Sequence, residues 1–206
     1  MDSLFKLISG KSKIISLVAA IALFLSQVLV VFRHLLNYIE YGSFYSIGIG
    51  NIISILLTGL LAILLIGGTF VKIANTLLVI PLGGLLLSNV VSLFRNIGYF
   101  FDYFSIYNFA GVIYNLLQVA AIILLIFATI HLAVDTPLSS YVQKLWFIPG
   151  ILLFIAFAID FIVFISYYFG SFINFISLPK EILWIVACTL IGLSISSQLL
   201  DKSNSN

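Results

Sequence analysis

The chain writes apolar runs of about 20 residues again and again, and "IISLVAAIALFLSQVLVVF" at residues 14–32 is the first of them. At 1.5 Å of rise per residue such a run makes a helix about 30 Å long, the thickness of the hydrocarbon layer of a bilayer. No other feature restricts the fold as much. Hydrocarbon offers no hydrogen-bond partner to bare backbone, so each run must be a helix or a strand of a closed barrel, and the two-residue alternation of barrel strands is missing. Composition agrees, with 63% hydrophobic and 8% charged residues against about 45–50% and about 25% in soluble domains. The expected fold is an all-α integral membrane protein.

Six transmembrane helices are expected near residues 14–39, 48–70, 73–97, 111–134, 146–168 and 181–200, with residues 1–206 forming a single domain. The basic start "MDSLFKLISGKSK" precedes an apolar run, as in a signal peptide. That run is too long for one, and its Ala-x-Ala, at Ala20 and Ala22, lies inside it, so it reads as an uncleaved first span. The connections alternate in kind. "GGTFVKIAN" and "AVDTPLSSYVQK" are short and polar, while "YIEYGSFYSIG", "IGYFFDYFSIYNFAG" and "SYYFGSFINFISLPK" are rich in aromatics. Lys6, Lys11, Lys13, Lys72, Lys144 and Lys202 fall on the plain side, against Arg33, Arg95 and Lys180 on the aromatic side. Lysine and arginine excess marks the cytoplasm and aromatic residues favour headgroups, so both termini are expected to be cytoplasmic and the aromatic turns outside. The result is three helical hairpins.

The first two hairpins resemble each other. "VFRHLLNYIEY" at residues 31–41 superimposes without a gap on "LFRNIGYFFDY" at 93–103, and the same offset pairs Ser43 with Ser105 and Tyr45 with Tyr107. This suggests an internal repeat, a common origin of membrane bundles. Within each copy the acid follows the arginine by seven residues, sharing its helix face about 10 Å away. Cross-pairing of Arg33 with Asp102 and of Arg95 with Glu40 would need the hairpins side by side.

Polar residues inside the apolar runs are the candidates for function. Asp160 lies near the middle of "WFIPGILLFIAFAIDFIVFISYYF", where an aspartate costs about 2.5–3.5 kcal/mol even on the lenient insertion scale. It is either a proton, cation or ligand contact facing the bundle interior, or a structural partner of a neighbouring helix. Arg33 and Arg95 lie about one turn inside the aromatic rim. They either converge on Asp160 and an anionic solute, or run their stems along hydrocarbon to the outer headgroups. In the third helix, "VIPLGGLLLSN" puts Pro81, Gly83 and Gly84 together, which predicts a kink or break of the kind that builds transporter sites. Small residues on the second helix (Ser54, Thr58, Gly59, Ala62) and the sixth (Gly192, Ser194, Ser196, Ser197) mark faces of close helix approach.

Several functions lose support at this stage. A net charge of +2 without a basic cluster gives no reason for nucleic-acid binding. The single cysteine, Cys188, forms no intrachain disulfide or thiolate cage, and His131 with Asp135, four residues apart, supplies too few ligands for a metal. No nucleophile elbow, zinc-protease motif or phosphate loop is present, so neither an enzyme nor a cofactor is expected. Two classes remain. One is solute binding or transport through an outward-facing polar pocket, and the other is a structural or accessory subunit packed against another membrane subunit. In length, six spans and inferred topology the chain resembles the vitamin-binding S components of energy-coupling uptake transporters. The resemblance covers the outline of the chain, and the Ala-x-x-x-Ala pattern it implies in the first helix is not matched by Ala19, Ala20 and Ala22. The expected location is the cell membrane, as a multi-pass protein of a bacterial plasma membrane.

Overall fold

The computed structural model describes residues 10–41, 49–68, 76–134, 139–168 and 177–203. Among them are six long helices: α1 (Ser12–Tyr41), α2 (Ile49–Gly68), α3 (Val79–Asp102), α4 (Ile106–Val134), α5 (Ile148–Tyr168) and α6 (Ser177–Ser203). No described residue forms a strand. Ser12–Ile39, Val79–Asp102, Ile106–Val134 and Leu178–Asp201 are each long and apolar enough to cross a membrane, and Ile52–Gly68 and Ile148–Ile159 add shorter apolar helices. The chain is therefore read as a multi-pass membrane protein.

Each long helix packs on the next, and α6 closes the ring on α1 through the broadest contact in the molecule. α6 also reaches α4 and a helical turn at Ser140–Gln143. It is the hub, with 56% of its spanning window buried against 17% for α3. Contact is as substantial across α4 and α5 as within α5 and α6, so the ring does not divide visibly into three hairpins. Ala19, Ala20 and Leu23 of α1, Leu61 and Leu65 of α2, and Leu82 and Leu85 of α3 share one core with Ile122, Leu153 and Ile191.

Lipid tails are as apolar as these side chains, so helix association rests on close contact and hydrogen bonds rather than on expelling water. Three glycines show the closeness. A Cβ on Gly192 would stand 2.8 Å from the carbonyl carbon of Trp146, and one on Gly150 would stand 2.9 Å from Thr189 Cα. At Gly84 it would meet the end of Leu57 at 2.7 Å, a softer neighbour. Polar side chains mostly serve their own helix. Thr58, Asn89, Asn115, Thr129 and Thr189 each donate to the carbonyl four residues back at 2.8 Å, which satisfies them without water.

The α1–α6 seam is different, because its hydrogen bonds cross between helices. Ser16 Oγ and Ser194 Oγ are 2.6 Å apart and buried, and Ser194 also donates to the Ser12 carbonyl at 3.1 Å. Nearby, the Gly10 N–H donates to Asp201 Oδ2 at 3.1 Å. The helices are thus antiparallel, and both described ends of the chain lie at one end of the bundle. The small residues expected on the sixth helix are buried: Gly192, Ser194, Ser196 and Ser197 all lie inside, with Ser194 facing α1 and Gly192 facing Trp146.

Two local features of α3 bear on the sequence expectation. First, it runs regularly through Gly83 and Gly84, and the interruption falls at Leu78, a turn residue that keeps right-handed helical angles. Pro81 sits in the opening turn and has no N–H to give the Leu77 carbonyl, so the hydrogen-bond ladder lapses there. Second, the aromatic stretch after α3 is mostly helical, leaving residues 103–105 as the connection. Ser105 caps α4 by accepting the Asn108 N–H at 3.2 Å, and Asn108 Nδ2 donates to the carbonyls of Tyr99 and Tyr103 at 3.1 and 2.6 Å.

Candidate functional site

Depth is the first coordinate of a site in a membrane bundle. Measured from the aromatic end, Arg33, Tyr114 and Asp160 each lie eight residues inside their helices, from Tyr41, Ile106 and Tyr168. At 1.5 Å per residue this is about 12 Å for all three. Glu181 lies four residues inside α6 from Ser177. These residues belong to α1, α4, α5 and α6, and the first three of those helices all pack against the fourth.

Side-chain contacts join two of these helices. Tyr114 Oη donates to Glu181 Oε2 at 3.4 Å, linking α4 to α6, and Lys180 forms an ion pair with the same carboxylate. The Glu181 side chain is only 13% exposed, so the ammonium and the phenol are its partners in a place with little water. Arg33 is half-buried and lies seven residues beyond Ser26, on the face of α1 that buries Ala19, Leu23 and Ser26. The register that pairs Ser16 with Ser194, carried along the seam, sets Arg33 level with the start of α6. Asp160 belongs to α5 at the depth given above, and its side chain lies outside the described part of the structure.

Arg95 is placed differently. It is exposed on α3, on the face that also carries Val91, Phe94, Gly98 and Asp102, and α3 packs on α2 and α4 rather than on α6. Among the described residues neither Arg33 nor Arg95 makes an ion pair. The two copies of the repeated motif are therefore unlike in burial, with one arginine turned toward the core face and one toward the outside. Asp102 is exposed at the end of α3, and the Glu40 side chain lies outside the described residues, as does Asp135. The motif's cross-pairs are thus not on view. Pro81, Gly83 and Gly84 lie at the opposite end of α3 from Arg95.

Tyr114 and Glu181 are the members that the sequence reading overlooked. A signal existed, since "LPKEILW" places adjacent opposite charges at the opening of an apolar run, where only a partner justifies the acid. Near the end of the bundle that holds the termini, His131 stacks toward Trp146 with ring centroids 6.0 Å apart. No protein-family model, curated protein or solved structure matches this chain.

Proposed function

We propose that this protein binds a small solute in a polar layer at its aromatic end, between α1, α4, α5 and α6. The observation that carries the reading is the hydrogen bond from Tyr114 to the sheltered Glu181, made between two helices at the end of the bundle where α1 carries Arg33 and α5 carries Asp160. An apolar bundle has little reason to carry charged side chains on several helices toward one end, since a charge at the centre of a span costs about 2.5–3.5 kcal/mol. A solute that satisfies them supplies one. Arg33 would hold an anionic group, because its guanidinium presents paired donors. Asp160 and Glu181 would hold a donor or a cationic centre, so a small zwitterion or an anion with hydrogen-bonding groups suits the set. The lysine distribution supports reading this end as the outward one, in a plasma membrane.

The test is a thermal-shift screen of the purified protein against small anions, vitamins and cations. A ligand at about 100 times its Kd stabilises its protein by about 2.7 kcal/mol. Wild type and Arg95→Gln should respond to the same compound, while Arg33→Gln and Asp160→Asn should lose the response. No stabilisation by any compound, together with a membrane subunit that co-purifies one to one, would replace this reading with that of an accessory subunit.

A further inference from the structure

The turn between α3 and α4 carries the most exposed aromatic rings among the described residues, Phe104 at 85% and Phe101 at 79%, beside exposed Tyr103 and Ile106. They are held firmly. Asn108 ties the turn to the Tyr99 and Tyr103 carbonyls, and the Phe100 ring stands 5.6, 5.1 and 5.8 Å from those of Phe101, Phe104 and Phe109. A chain that fixes apolar rings in an outward position presents them to something.

Three observations say what. Five exposed apolar side chains of α3 form one line, Ile80, Leu87, Val91, Phe94 and Phe101, spaced by sevens, threes and fours, so the tip continues the apolar outer stripe of the span. α3 has 24 residues, which at 1.5 Å each exceeds a hydrocarbon thickness of about 30 Å by about one turn and places its last turn among headgroups. The charges of α3 are Arg95 and Asp102, both exposed, with the cation on the membrane side and the acid at the water edge. A cation one to two turns below the rim can bend its head to the phosphate level while its stem stays in hydrocarbon.

We infer that Arg95 and the α3–α4 tip form a binding site for a phospholipid headgroup in the leaflet at the aromatic end. The guanidinium takes two oxygens of the phosphodiester. The phenylalanines lie among the headgroups beside Tyr99 and Tyr103, where aromatic rings are favoured. This site lies on the outer surface of the ring and is independent of the solute layer proposed above.

Phe104→Cys tests the tip, because the native Cys188 is fully buried and leaves the new thiol as the reactive one. Labelled with bimane and reconstituted in vesicles of phosphatidylglycerol and phosphatidylcholine, it should be quenched several-fold more by a headgroup-nitroxide lipid than by aqueous iodide. Native mass spectrometry tests the arginine. Arg95→Gln should retain several-fold less phosphatidylglycerol than wild type, and Arg33→Gln should retain as much as wild type. Strong iodide quenching would put the tip in water and overturn the proposal. So would wild-type lipid retention by Arg95→Gln. Protection from both quenchers, with a second protein co-purifying one to one, would make the tip a protein interface instead.

Discussion

At the end of the bundle that holds the termini, α6 meets its neighbours through backbone and hydroxyl atoms: Gly192 against the Trp146 carbonyl, and Ser194 against Ser16 and the Ser12 carbonyl. At the aromatic end the contacts are long side chains, Tyr114 to Glu181 and Lys180, while Arg33 is half-buried and Arg95 exposed. Short contacts fix one geometry, because little can rotate within them. Long side chains leave several arrangements of similar energy. The difference assigns rigidity to the first end and adaptability to the second, which suits a bundle anchored at one end and open to a ligand at the other.

The largest expected effects strike the rigid end. Gly192→Ala would drive a methyl into the Trp146 carbonyl, and Gly150→Ala would drive one into Thr189 with its Cα at 2.9 Å. Neither obstacle can swing away, so each should lose about 2–3 kcal/mol in reversible unfolding in detergent, near the upper range for overpacking. Gly59 and Gly83 have nothing within 4 Å of a built Cβ. Alanine there should be neutral or gain about 0.5–1 kcal/mol from helix propensity. If all four variants behaved alike, glycine would matter for backbone entropy rather than approach, and the contrast would fail.

Much of this frame was readable beforehand. Apolar run length is a one-dimensional property, so the number and helical nature of the long elements follow from it, as does the buried small face of α6. The α3–α4 turn was less readable, because "YFFDYFSIYNF" looks like an aromatic loop until Ser105 and Asn108 are recognised as caps that let both helices continue. The repeat misled in a different way. Arg33 and Arg95 occupy equal places in sequence, but α1 has α6 on its polar face, whereas α3 faces outward, and sequence identity carries no record of which neighbour a helix meets. Tyr114 with Glu181 joins residues 67 apart. The local sequence announces the acid of that pair but not the tyrosine that meets it.

A middle-sized effect should come from the hydroxyl pair in the seam. Ser16→Ala and Ser194→Ala, alone and combined, form a double-mutant cycle whose coupling should lie at about 0.6–1.7 kcal/mol, the range seen for hydrogen bonds between membrane helices. Coupling near zero would mean that close approach alone holds the seam. Asn108→Ala removes two hydrogen bonds at an exposed turn. Its cost should be about 1 kcal/mol and local. Amide exchange at residues 103–109 should rise while the unfolding midpoint stays close to that of wild type.

The smallest expected change in stability belongs to Tyr114→Phe. Its hydrogen bond is long, at 3.4 Å, and Glu181 keeps Lys180 as a partner when the phenol is gone. The ring stays, so only the hydroxyl is lost, and unfolding should shift by less than about 1 kcal/mol. That modest figure separates two roles for the residue. If the bond were a structural tie like that of Ser16 and Ser194, removing it would cost as much as breaking the seam, with no special effect on a ligand. If the layer is adaptable, stability barely moves and the stabilising compound found for wild type loses affinity, because Glu181 is then free to turn toward Lys180 and away from the solute. A loss above about 1 kcal/mol, as large as that of the seam, with ligand response intact, would assign both ends of the bundle the same rigid construction.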